Sequence, residues 1–140
     1  NKYHVICLNM QQFLLEAKYQ QTTEYPEQEV LDELFEVYGE FFNRQNLGLA
    51  AALRRIYAKT KQKFIFLIDE WDCVMREKKE AEEEQKHCLD FLRSLLKDQA
   101  YVALAYMTGI LPVKKYGEHS ALNMFTEYSM TVEMICIILV

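Results

Sequence analysis

Apolar residues run unbroken from Phe64 to Ile68 and stop at Asp69-Glu70-Trp71-Asp72. Such a run, rich in aromatic and β-branched types and without polar alternation, reads as a strand buried on both faces, as central strands of parallel sheets are. Two further runs behave the same way. Tyr3 to Met10 carries Val5, Ile6, Cys7 and Leu8 before polar Asn9, and Ala100 to Met107 ends in Thr108-Gly109. Between the runs the period changes. Val30, Leu31, Leu34, Phe35, Tyr38 and Phe41 or Phe42 recur at spacings of three and four, predicting a helix over 27–42 that begins near Pro26 and is weakened only modestly by Gly39. Leu49, Ala50, Leu53, Ile56 and Tyr57 predict a second helix with Asn46 as its N-cap, and Leu89, Leu92, Leu95 and Leu96 a third. Shorter helical patches are expected over 11–19 and over 121–125, the latter capped by Ser120. Strand, helices, strand, helix, strand is the order of an α/β fold, here a three-layer parallel sheet flanked by helices.

In open α/β sheets ligands bind beyond the carboxyl ends of the strands, which makes Asp69 and Glu70 the first candidates for chemistry. Composition narrows the options. The 140 residues are 51% hydrophobic with a formal charge of -5, enough apolar content for one packed domain and a poor match to a nucleic-acid surface. Cys7, Cys73, Cys88 and Cys136 are widely spaced, form no C-x-x-C pair and read as reduced thiols of a cytoplasmic protein. His87-Cys88 is a poor metal grip, because adjacent helical side chains point about 100° apart. No apolar run approaches the roughly 20 residues of a membrane span. The mixed charges of 76–86 read as a solvated loop and helix start.

Taken together, FIFLIDEWD over 64–72 and the segment 91–130, with its YMTGILP stretch, resemble the predicted AAA-ATPase-like family of P-loop proteins. The resemblance spans about residues 3–130 and implies an incomplete P-loop NTPase core made of the second strand, the Walker B strand and the sensor strand. It further implies that Asp69 is the Walker B aspartate that holds Mg²⁺, that Glu70 polarises the attacking water, and that Thr108 is the sensor residue that feels the γ-phosphate of ATP. Lys114 or Lys115 is the only nearby source of positive charge after Thr108.

The phosphate-cradling G-x-x-x-x-G-K-[ST] is missing, since Gly39, Gly48, Gly109 and Gly117 leave it no place. The expectation is therefore a partial ATPase-like domain over 1–131, inactive alone, whose partner is a Walker A segment preceding Asn1. An apolar tail over 132–140 follows, as an extra strand or an altered end. In this class the Walker A strand lies beside the sensor strand, so the outer edge of 100–107 needs cover, either from the tail or from a second copy in a homo-oligomer. The alternative is a non-enzymatic interaction or scaffold module in which the strand-end acids merely cap and pair; metal-dependent nuclease chemistry ranks below both. Trp71 reads as a core anchor rather than a base-stacking residue, and Asp72 as a turn acceptor rather than an outer-shell metal ligand.

Overall fold

The computed structural model describes residues 2–17, 25–43, 47–113, 123–129 and 135–136. Its elements are β1 (Tyr3–Asn9), α1 (Met10–Ala17), α2 (Tyr25–Tyr38), α3 (Leu49–Thr60), β2 (Lys63–Asp69), α4 (Cys73–Glu77), α5 (Glu82–Leu96), β3 (Val102–Gly109), β4 (Tyr128–Ser129) and β5 (Ile135–Cys136). The sheet order is β1-β2-β3-β5-β4. β1, β2 and β3 are mutually parallel, joined by helical crossovers as parallel strands require. This is an α/β fold consistent with a partial P-loop-like core.

Register decides what the strand ends can do. Asn9 pairs with Asp69 across β1 and β2, and Ile68 pairs with Met107 across β2 and β3, so Asn9, Asp69 and Thr108 end up in one row. On the outer side of β3, Thr108 pairs with Cys136 and Gly109 with Ile135, antiparallel. The tail thus adds two residues at the very end of that edge.

β2 is central, but it is not buried on both faces. Phe64, Phe66 and Ile68 are no more than 1% exposed and share a core with Leu53 and Ile56 of α3 and Leu92 and Leu95 of α5. On the opposite face Val5, Leu67 and Tyr106 are 57%, 40% and 37% exposed. Among the described residues the helices collect on one side of the sheet, so the apolar side chains of the other side meet solvent.

Helix ends also depart from the periodicity. α2 stops at Tyr38 rather than Phe42, and the chain turns with Phe41 N–H donating to the Tyr38 carbonyl at 2.9 Å. A Cβ at Gly39 would lie 2.6 Å from the Phe35 carbonyl oxygen, so glycine lets the chain fold back against the helix there. α3 starts at Leu49 after Gly48, and its first amide is capped from another helix: Leu49 N–H donates to Glu27 Oε1 at 2.7 Å. Asn46, the expected cap, lies outside the described residues, as do Lys114, Lys115 and Ser120. Residues 123–127 are not helical, which shortens or removes the helix expected there.

The cysteines differ sharply in environment. Cys7 is exposed, whereas burial pushes the Cys73 thiol up to about 11 and the Cys88 thiol up to about 12. Since the thiolate is the reacting species, iodoacetamide at pH 8 is expected to label Cys7 well before Cys73 and Cys88, which it reaches only on unfolding. Peptide mass mapping of a time course checks this, and early labelling of Cys88 would contradict the packing.

Candidate functional site

β2 and β3 deliver their last residues side by side, and the polar groups there bond directly. The Thr108 hydroxyl donates to Asp69 Oδ1. The same oxygen accepts the Glu70 N–H at 3.1 Å. One step further, Trp71 N–H donates to the Thr108 carbonyl at 3.0 Å, tying the turn after β2 to the end of β3.

Asp72 completes that tie. It is fully buried, and its Oδ2 accepts the N–H groups of Ile110 and Leu111 at 3.0 and 2.7 Å. Arg76 supplies the countercharge, with Nε 3.2 Å from Oδ2, a charge contact without hydrogen-bond alignment. Trp71, 2% exposed, fills the space beneath, where Gly109 lies against the indole. Turn acceptor and core anchor are therefore the roles these two side chains occupy.

Glu70 behaves differently from its neighbour. Its backbone is left-handed, with φ of 55°, a conformation that non-glycine residues seldom adopt. Its carboxylate is ion-paired with Arg76 Nη2. A cleft of about 580 Å³ opens at the strand ends, lined by Asn9, Gln12, Glu29, Glu33, Asp69 and Thr108 on its polar side. Cys7, Leu67 and Tyr106 continue it onto the open face of the sheet. Glu70 does not line it. Of the three residues singled out by sequence, two meet in the cleft and the third faces away.

The cleft is acidic. Burial, with the neighbouring Glu16 and Glu33 charges, pushes the Glu29 carboxyl up, and one Glu29 oxygen is buried without a hydrogen bond. An unshielded polyphosphate would be repelled here, whereas one carrying a divalent cation would be less so. Among the described residues no group of three or more His, Cys, Asp or Glu side chains could hold a metal alone. Magnesium does not need one: it takes one or two protein carboxylates, keeps waters and shares phosphate oxygens. The donor set present, one Asp69 carboxylate beside a Thr108 hydroxyl, fits that demand.

Arg76 is the residue that sequence reading passed over. Its signal was available, because Asp72 and Arg76 stand four apart at the start of a helix, the spacing of an ion pair. Asn9 offered less: it was visible only as the polar end of β1, where its side-chain oxygen accepts the Gln12 N–H at 3.0 Å and so caps α1.

A family model described as Predicted AAA-ATPase matches residues 1–117. Comparison with curated proteins and with solved structures gives no match. Among the described residues no helix is long and apolar enough to cross a membrane.

Proposed function

This chain belongs to the predicted AAA-ATPase family, and from that membership we propose that it supplies the metal-holding and water-polarising half of an ATP-hydrolysing site. The phosphate-cradling loop, for which these 140 residues have no sequence, comes from chain outside them. The observation that carries the reading is the direct bond between Thr108 and Asp69 at the ends of adjacent parallel strands, inside a cleft. Asp69 is the oxygen ligand, oriented by the Thr108 hydroxyl and the Glu70 amide. Thr108, whose hydroxyl can turn from Asp69 to a phosphate oxygen, is the group that senses the terminal phosphoryl. Magnesium held with ATP at this position would neutralise charge that builds on the phosphoryl oxygens. Glu70, freed from Arg76, accepts the proton of the attacking water.

The test has two arms. The 140-residue chain alone is expected to show no magnesium-dependent ATP hydrolysis above buffer, because no backbone cradle or lysine holds the phosphates. Joined to the Walker A-bearing segment of its own parent chain, it is expected to bind ATP, measured by titration calorimetry. Turnover by the chain alone that disappears in Glu70→Gln would overturn the half-site reading, and no heat in the joined protein would overturn the nucleotide reading. One observation favours a second reading, a protein-interaction module: the exposed apolar face formed by Val5, Leu67 and Tyr106.

A further inference from the structure

We propose that the open face of the sheet docks a second copy of this chain, turned end for end. The inference rests on the reading of that face as an interaction surface and names its partner. Parallel register lays the face out in rows across the strands. Val5, Ile65 and Leu104 form one row, and Cys7, Leu67 and Tyr106 form the next. The two ends of this apolar band differ in sign. At the amino end of the strands Lys63 stands beside Tyr3, and the Lys2 ammonium sits 5.6 Å from the centre of the Tyr3 ring. At the carboxyl end comes Asp69, with Glu29 and Glu33 around the cleft.

Two such faces stack about 10 Å apart with their strands nearly aligned, running either the same way or opposed. Running the same way sets like charge over like charge at both ends. Opposed, the two copies are related by a two-fold axis across the strands, and each β2 lies over its counterpart with Lys63 above Asp69 of the second copy. Lys2 then approaches the Glu29 and Glu33 end, and the row of Val5 meets the row of Cys7. A second copy thus brings the matching polarity by symmetry alone, whereas an unrelated partner must supply both charged ends and an apolar band of equal length. β1 and β2 are each seven residues long, so the footprint is roughly 20 Å along the strands and 10 Å between the outer strand axes. That is the small end of specific interfaces, and the dimer is accordingly weak and reversible.

Sedimentation velocity of the full 140-residue chain, from about 5 to 200 μM, is expected to show a monomer–dimer equilibrium. Leu67→Lys places a charge in the middle of the band, at an exposed position where lysine can keep its ammonium in water, and should weaken association roughly tenfold or more. Val5→Lys, also exposed, repeats the test if circular dichroism shows that lysine at 67 disturbs the fold. Lys2→Glu and Glu33→Lys should each weaken association roughly threefold, and together they should recover most of the loss, because the exchanged charges face each other again. Glu33→Lys is the telling single variant. It reduces the formal charge of -5, so on overall repulsion alone it would strengthen association. Strengthening by Glu33→Lys, or a double variant weaker than either single one, would overturn the end-for-end arrangement. A dimer that persists in both Leu67→Lys and Val5→Lys forms elsewhere and removes the face reading altogether. A chain that stays monomeric throughout overturns the second copy alone and leaves the face to a different protein or to another part of the parent chain.

Discussion

Asp72→Ala is expected to lower the unfolding free energy by about 3–5 kcal/mol, the range measured when one partner of a buried charge pair is removed. The carboxylate is 0% exposed and does three things at once: it accepts the amides of Ile110 and Leu111 and faces Arg76. Alanine leaves those two donors without their acceptor and strands the guanidinium beside a void. Asp72→Asn should cost less, because an amide oxygen can still accept both N–H groups and only the countercharge is lost. Urea unfolding followed by far-ultraviolet circular dichroism reads both. A loss below about 1 kcal/mol for the alanine variant would mean that the turn is held by something other than this network.

Gly109→Ala comes second, at about 1–3 kcal/mol, the usual cost of forcing extra volume into a packed site. A Cβ there would lie 2.5 Å from Trp71 Nε1, 2.6 Å from Trp71 Cδ1 and 2.8 Å from Asp72 Oδ1. The indole cannot stay where it is. Because Trp71 is the only tryptophan, its displacement should also appear as a shift in emission maximum toward the exposed value. A variant with wild-type stability and unchanged emission would show that the indole has room to retreat. Gly109 needs no positive φ, so here it is space and not backbone freedom that demands glycine.

The three parallel strands were legible because each is an apolar run closed by a polar residue. What an apolar run does not disclose is whether both of its faces are covered. Leu67 is as hydrophobic as Phe66, and only the one-sided placement of α3 and α5 makes one 40% exposed and the other buried. At the site, Asp69 and Thr108 were visible as polar ends of apolar runs and were linked only through the family resemblance, although the two lie 39 residues apart and meet through the parallel pairing of β2 and β3. The orientation of Glu70 was not legible. It depends on a left-handed backbone and on an arginine delivered by the following turn, neither of which periodicity reports. The start of α3 illustrates the same limit, since a local cap was sought and Glu27 of another helix supplied it.

The ladder between β3 and β5 has a consequence in time. Thr108 and Gly109 leave the ribosome well before their partners, with Ile135 about 26 residues behind Gly109. At cellular synthesis rates that interval lasts roughly 1–5 s, far longer than small structural elements need to form. For those seconds β3 has found β2 but not β5. The Thr108–Gly109 end of its outer edge is then open to whatever nascent or finished chain is nearest, and the pace of translation, as much as the sequence, sets how long it stays so.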